Sequence, residues 1–218
     1  MFKDRSEAGR LLARRLQALE GEDCVVLALP RGGVPVGYEL ALALHAPLDV
    51  IVARKLGAPG DPELALGAVV GGERVEAVFN EELIGALGVG RDYLDAELGR
   101  QTGEILRREK AFRGGRPPAA LAGRTAVVVD DGVATGASVR AALRVVRRRG
   151  AKRVILAVPV APQQAAAELS AEADEVVVLL KPEPFVSVGL HYEDFSQTSD
   201  EEVLRLLDSA GRRPGPGA

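Results

Sequence analysis

The sequence contains no tryptophan and few aromatic residues of any kind. Aromatic residues make up 4% of the 218 positions, whereas apolar residues make up 47%. A sizeable core is therefore possible, but it must be built mainly from Leu, Val, Ile and Ala, as is common in layered proteins with parallel sheets. This length suits one medium α/β domain, with or without a small accessory lobe.

Cysteine and long apolar runs are also scarce. Cys24 is the only cysteine, so the chain cannot form an internal disulfide, which fits a reducing cytoplasm. No apolar run approaches the roughly 20 residues that a membrane-spanning helix needs. The charged start, Met1–Arg5, does not resemble a secretory signal. We therefore expect a cytoplasmic protein with no membrane partner.

Neither sign of charge dominates. The formal net charge is −3, which gives no general attraction to nucleic acid, so we do not expect nucleic acid as a partner. An anion site must come from local geometry instead. The chain also lacks a His/Cys cluster with metal-ligand spacing and a Gly-Lys-Ser/Thr phosphate loop, so zinc hydrolases and nucleoside triphosphatases are poor interpretations.

Short apolar runs alternate with segments of helical spacing. Five such runs predict buried strands, at 24–29, 48–53, 125–129, 153–158 and 175–180. This alternation predicts an α/β fold with a central, mostly parallel sheet and helices on both faces. We expect residues 1–210 to form a single domain, and the Arg-, Pro- and Gly-rich residues 211–218 to form a disordered tail.

The stretch from Gly72 to Pro118 interrupts the alternation. Runs at 64–70 and 74–79 predict an antiparallel hairpin, followed by a short helix at 81–87 and a long, charged helix at 92–112. We expect residues 72–118 to form an inserted flap. The long helix could equally be a dimer contact or a solvated charged face.

The segment after the predicted strand 125–129 carries the chemistry. Asp130 and Asp131 come first, and the loop that follows is Gly132, Val133, Ala134, Thr135, Gly136, Ala137 and Ser138. Ligands of open α/β sheets bind at the carboxyl ends of strands, and the start of a helix offers unpaired N–H groups to a phosphate. Two acids beside an anion site suit sugar hydroxyls or a divalent metal, so the segment predicts a ribose with its 5-phosphate. The alternative is an acidic turn before a helix that Ser138 caps.

Apolar residues, Asp-Asp, three variable residues and Thr-Gly resemble the signature of type I phosphoribosyltransferases. The resemblance covers about residues 21–195. It implies transfer of the phosphoribosyl group of phosphoribosyl diphosphate to a nitrogenous, nucleobase-like acceptor, with release of diphosphate. Mg²⁺ would be the cofactor, held indirectly through Asp130 and Asp131. Ala134 stands where hypoxanthine-guanine enzymes have an Asp, which argues against a 6-oxopurine acceptor.

The resemblance also assigns roles along the predicted edge. Asp130 and Asp131 would be the catalytic pair that holds the ribose hydroxyls, and residues 132–138 would hold the 5-phosphate. Arg31, Gly32 and Gly33 follow the first predicted strand, and Arg54 and Lys55 end the second. All five would bind the diphosphate. The alternatives are a plain turn for the first group and solvated charge for the second.

Residues 181–200 are similar to the small C-terminal hood of purine-type members of the family. Phe185 and Val186 would then contact the acceptor, with ordinary packing as the alternative. A homo-oligomer, most simply a dimer, is expected. The alternative function is a regulatory protein that senses phosphoribosyl diphosphate without turnover.

Overall fold

Strands and helices alternate along the computed structural model, which describes residues 1–211. The strands are β1 Cys24–Ala28, β2 Leu48–Val50, β3 Ala53–Ala58, β4 Asp61–Val70, β5 Glu76–Phe79, β6 Thr125–Val129, β7 Arg153–Val160 and β8 Glu175–Leu180. The α-helices are α1 Arg5–Arg15, α2 Gly33–Leu44, α3 Glu81–Leu87, α4 Arg91–Arg113, α5 Ala137–Arg148, α6 Gln163–Leu169 and α7 Asp200–Gly211. The last residue of α7 falls in the predicted tail, and residues 212–218 lie outside the described residues.

Five strands form the central parallel sheet, in the order β2-β1-β6-β7-β8. The register sets Val26 of β1 opposite Leu48 of β2 and Val127 of β6. Alternate residues of each strand point to opposite faces, so a strand that is covered on both faces is apolar throughout. This confirms the predicted fold class.

Helices cover the two faces of the sheet. On one face α1 and α2 contribute Leu12 and Leu40, which pack with Val127. On the other face α5 contributes Leu143, which packs with Val128. Each fully buried side chain of this kind contributes about 1.5–3 kcal/mol relative to its exposed state. The two layers fix the carboxyl ends of β1 and β6 at one edge of the sheet.

The second predicted strand, 48–53, is really two strands in different sheets. The Ile51 N–H still donates to Ala28 O of β1 at 2.9 Å, but Val52 O accepts from the Gly71 N–H at 2.8 Å. The chain therefore leaves the parallel sheet here and enters β3. Arg54 and Lys55 thus lie within β3, and the prediction that they end the second parallel strand is wrong.

The strands β3, β4 and β5 form a separate antiparallel sheet. β3 and β4 are joined by a tight turn in which Gly60 has a φ of 80°, and Ala58 pairs with Asp61. The predicted hairpin of residues 64–70 and 74–79 is confirmed as β4 and β5. The interruption of the parallel sheet therefore begins at residue 53 and not at residue 72.

The long helix α4 buries a stripe of mostly polar residues. The stripe has a four-residue spacing and contains Glu97, Gln101, Ile105, Glu109 and Arg113. At its end Arg113 Nε lies 3.0 Å from Asp49 Oδ1, and Arg113 Nη1 lies 2.8 Å from Glu109 Oε1. This half of α4 is fixed against β2 as part of the core. Movement of the rest of the insertion as a flap stays a prediction.

The beginning of the chain pairs with the hood segment. The Phe2 N–H donates to His191 O at 2.8 Å, and the Glu193 N–H donates to Phe2 O at 2.8 Å. The rings of Phe2 and Tyr192 pack with centroids 5.3 Å apart. The hood therefore packs against a short N-terminal segment. The sequence did not predict this contact.

None of the helices in residues 1–211 has the length and apolarity that crossing a bilayer requires.

Candidate functional site

The loop from Asp130 to Ser138 connects the carboxyl end of β6 to α5. The Val133 N–H donates to Val160 O at 2.9 Å, which pins the loop to β7. Gly136 has a φ of 77° and occupies the position before the first helical residue, where no side chain caps the helix. The alternative in which Ser138 caps α5 is therefore wrong. The first N–H groups of α5 have no partner within the helix and can meet an anion.

A cleft of ≈ 730 Å³ opens between this loop, β3 and α4. The predicted site residues that line it are Asp130, Gly132, Val133, Ala134, Thr135, Gly136, Ala137, Ser138, Arg54 and Lys55. β3 forms one wall, and Glu97, Arg100 and Gln101 of α4 complete it. The structure thus places the predicted phosphate loop in the same cleft as Arg54 and Lys55, two of the predicted diphosphate-binding residues.

A cleft of ≈ 860 Å³ lies at the opposite edge of the sheet, next to the amino ends of β1 and β2. It contains Asp23, His45, Arg124 and Gly211. Arg124 is already paired with Asp23, with Nε 2.7 Å from Oδ1. Ligands of open parallel sheets bind at the carboxyl edge, so the smaller cleft is the candidate site.

Asp131 does not line the cleft, and contacts from three segments hold it. Arg5 Nε of α1 lies 2.8 Å from Asp131 Oδ2, and the Tyr192 hydroxyl donates to Asp131 O at 2.5 Å. A Cβ at Gly32 would lie 2.0 Å from Asp131 Oδ2, so the carboxylate rests directly on that glycine. The two predicted catalytic acids therefore have different surroundings.

Arg5 is a site residue that sequence reasoning missed. Its guanidinium also donates to Ser196 O at 2.7 Å and lies 4.0 Å from the centre of the Phe195 ring. It therefore ties Asp131 to the hood. The pair is 126 residues apart in sequence, and an Arg at the start of an amphipathic helix gives no signal of such a contact.

Burial raises the pKa of Asp130 well above its ordinary value, and the neighbouring Asp131 raises it further. Burial also raises the pKa of Asp131, although Arg5 opposes this. The pKa of Tyr192 is raised as well, first by burial and then by the charge of Asp131. A buried acid that is not fully compensated favours a proton, a cation or hydroxyl donors nearby.

The hydroxyl of Tyr192 supports the backbone of Asp131. Replacement of Tyr192 by Phe is expected to lower the free energy of unfolding by about 1 kcal/mol, because one hydrogen bond is lost while the ring remains. Urea unfolding measures this change. Tyr38→Phe, at a ring outside the hood, is the control, and an unchanged midpoint for Tyr192→Phe would contradict the assignment.

The glycine loop Arg31–Gly33 lies beside the acid pair, although it does not line the cleft. A Cβ at Gly33 would lie 2.7 Å from Val129 O, so the loop is pressed against the end of β6. The Pro30–Arg31 peptide is cis. Arg31 Nη1 lies 3.4 Å from Asp200 Oδ1 at the start of α7. The structure thus places this predicted diphosphate loop next to Asp130 and Asp131.

The predicted acceptor residues lie in the hood and outside the cleft lining. Phe185 stacks on His191, with ring centroids 5.9 Å apart and an angle of 19°. The Val186 residue is 72% exposed. Contact of these residues with an acceptor stays a prediction.

A magnesium ion fits this site only in company with a ligand. Within residues 1–211 no three His, Cys, Asp or Glu side chains are grouped as a metal site. Asp130 supplies hard oxygen ligands at the cleft, with Asp131 next to it, but Mg²⁺ demands six ligands and usually takes the remainder from phosphates and water. The donor set therefore suits an ion that a phosphorylated ligand carries in.

The parallel sheet, the uncapped loop and the acid pair are those of one class of protein. Residues 4–193 match the phosphoribosyl transferase domain family, and the chain belongs to that family. The crystal structure of TT1426 from Thermus thermophilus has 48% sequence identity and a TM-score of 0.83, over 95% of this chain and 97% of that chain.

Two curated relatives come from Mycobacterium tuberculosis strains H37Rv and CDC 1551. Both carry the provisional name of a phosphoribosyl transferase and are 50% identical over 212 residues, or 97% of this chain. The match takes up 47% of each relative, so the chain spans about half the length of the curated relatives it matches. These findings confirm the family that the Asp-Asp and Thr-Gly pattern predicted.

Proposed function

We propose that the protein transfers the 5-phosphoribosyl group of phosphoribosyl diphosphate to a nitrogenous, nucleobase-like acceptor and releases diphosphate. One observation carries this proposal. Asp130 and the uncapped start of α5 line the same cleft, where a carboxylate can accept from ribose hydroxyls and free amides can hold a phosphate.

The chain's part in the reaction is positioning and charge stabilisation. The amides of residues 134–138 and the hydroxyls of Thr135 and Ser138 would bind the 5-phosphate. Asp130 would accept from the ribose hydroxyls, with Asp131 fixed behind it by Arg5. Orientation of this kind lowers the entropic part of the barrier, and no covalent intermediate on the protein is required.

The diphosphate would lie between the glycine loop, Arg31–Gly33, and the cations Arg54 and Lys55 of β3. Guanidinium and ammonium groups stabilise the charge that develops on a leaving diphosphate. Mg²⁺, when bound with the diphosphate, would supply Lewis acid chemistry that neutralises part of this charge. Asp130 and Asp131 would hold the ion indirectly.

Nucleic acid does not enter the proposal, although α5 carries many arginines. Four of them are paired with acidic residues of neighbouring segments, namely Arg140 with Glu168, Arg144 with Glu172, Arg147 with Asp174 and Arg148 with Glu76. With one acidic partner for each arginine, this face of α5 carries no excess of positive charge that would attract a phosphate backbone. We propose a small-molecule acceptor, and we propose a cytoplasmic homodimer as the working form.

The proposal is tested by a thermal-shift titration with phosphoribosyl diphosphate and Mg²⁺, followed by a diphosphate-release assay with purines, pyrimidines and amines. We expect stabilisation by phosphoribosyl diphosphate and release with at least one acceptor. Stabilisation without release from any acceptor would favour a sensor without turnover. No stabilisation would contradict both functions.

A further inference from the structure

The helix α4 carries one charge pattern twice, seven residues apart. Glu97 accepts from Arg100 at 2.9 and 2.7 Å, and Glu104 accepts from Arg107 at 2.9 Å through each oxygen. The two glutamates differ in their surroundings. Glu97 is 8% exposed and lines the cleft, whereas the side chain of Glu104 is 27% exposed and lies outside it.

The two copies also differ four residues after each glutamate. Arg108 donates directly to Glu104 at 2.6 Å, so that copy is complete within the helix. At the corresponding place Gln101 donates from Nε2 to Glu97 Oε1 at 2.9 Å. Gln101 Oε1 in turn accepts from Arg54 Nε of β3 at 3.0 Å.

A side-chain amide can donate and accept at the same time, so Gln101 connects Glu97 to a second arginine, Arg54. The result is one chain of hydrogen bonds that runs from Arg54 through Gln101 and Glu97 to Arg100. Desolvation raises the pKa of Glu97, but the hydrogen bonds from Arg100 and Gln101 outweigh it and leave that pKa below its ordinary value. Glu97 is therefore ionised, and it is the acceptor that Arg100 and Gln101 share.

Arg54 and Arg100, at the two ends of this series of hydrogen bonds, both line the cleft, as does the start of α5. The α5 amides suit one phosphate group. A planar guanidinium with several N–H donors suits a second anionic group that bears several oxygens. The Arg100 side chain is 66% exposed, so a ligand can reach it.

We propose that Glu97 is a positioning residue that presents Arg100 directly, and Arg54 through Gln101, to the diphosphate group of the substrate. The proposal rests on the proposed function, because the diphosphate enters as part of phosphoribosyl diphosphate. It gives α4 a role in ligand binding that its charged sequence does not reveal.

Calorimetric titration with two separate probes tests this proposal. Inorganic diphosphate with Mg²⁺ reports on the arginines, and ribose 5-phosphate reports on the α5 loop and Asp130. For Glu97→Gln we expect diphosphate affinity to fall by about tenfold, because charge-assisted hydrogen bonds lose their alignment. We expect the affinity for ribose 5-phosphate to stay unchanged. Glu104→Gln, in the matched copy of the pattern, should change neither.

A second variant guards against general misfolding. Gln101→Met keeps the length of the side chain and removes both of its hydrogen bonds, and it should show the same selective loss. Glu97→Gln should also cost less affinity in an Arg100→Gln background than in the wild type, because the part of its effect that acts through Arg100 is already lost and only the part through Gln101 and Arg54 remains.

The outcomes separate the two proposals. Equal losses for both probes, no loss for either probe, or the same loss in Glu104→Gln would overturn the role of Glu97. If the wild-type protein does not bind ribose 5-phosphate, the proposed function fails, and the diphosphate titration still decides whether Glu97 positions the arginines.

Discussion

Replacement of Asp130 by Asn is expected to weaken the binding of phosphoribosyl diphosphate by about 10- to 100-fold, because a hydrogen bond to a charged acceptor contributes about 1.5–3 kcal/mol. Asp130 is the acid of the pair that lines the cleft. Asparagine keeps its size and one acceptor oxygen, but it cannot accept from two ribose hydroxyls with a full charge. Calorimetric titration measures the loss. Glu193→Gln, at an exposed carboxylate, is the control and should bind normally.

The same variant should be at least as stable as the wild type near neutral pH. Burial raises the pKa of Asp130 well above 3.8 in the folded chain, so the folded chain binds this proton more tightly than the unfolded chain does. Stability is then lost as the pH rises from about 4 through the folded pKa. The asparagine side chain of the variant has no such proton. The advantage of Asp130→Asn in urea unfolding should be present at pH 7.5 and absent near pH 4.

Two results would contradict this account of Asp130. One is an equal loss of affinity in Glu193→Gln. The other is a variant that is less stable than the wild type at every pH, which would mean that Asp130 is a structural partner and not a ligand group of the cleft.

Replacement of Gly136 by Ala is expected to weaken the binding of ribose 5-phosphate by about 100-fold, since two amides turned away from the phosphate would each cost about 1.5 kcal/mol. Gly136 has a φ of 77°, a conformation that alanine leaves readily. Such a change would turn the N–H groups at the start of α5 away from a common point.

Gly123 offers a matched control, because it also has a φ of 77° and an added Cβ would meet nothing within 4 Å. Both alanine variants should lose about 1 kcal/mol of stability from strain at positive φ. Gly136→Ala alone should lose affinity for ribose 5-phosphate. Unchanged affinity in Gly136→Ala would show that the loop does not hold the phosphate.

The parallel sheet was predictable because its strands are short apolar runs between turn residues. Strands β6 and β8 have the predicted bounds. The run 48–53 was wrongly predicted as one strand, because a continuous apolar run does not show where its hydrogen-bonding partner changes. That change occurs between Ile51 and Val52, and it depends on β4, which comes later in the chain.

Helix α4 was found, but its buried face was not. Sequence patterns detect a helix face when it is apolar, whereas this face carries Glu97, Gln101, Glu109 and Arg113. Each of these residues is paired with another polar group, so burial is tolerated. Such pairing joins distant segments, as Arg113 joins Asp49, and local spacing cannot reveal it.

The candidate site was predictable where it is local and was missed where it is assembled. The loop 130–138 is continuous, so a strand followed by acids and small residues was enough to place it at the carboxyl edge. Arg5 and Glu97 reach the site from other parts of the chain. Arg54 and Lys55 were placed in the cleft for the wrong reason, since they belong to β3 and not to the parallel sheet.

The pairing of Phe2 with the hood has a practical consequence for labelling. The Phe2 side chain is buried while Met1 is 78% exposed, so an affinity handle or fluorophore fused ahead of Phe2 would sit beside Tyr192 and the acid pair. Gly211 lies by the cleft at the other edge of the sheet. A label placed at Gly211 would therefore lie at the opposite edge of the sheet from the candidate site.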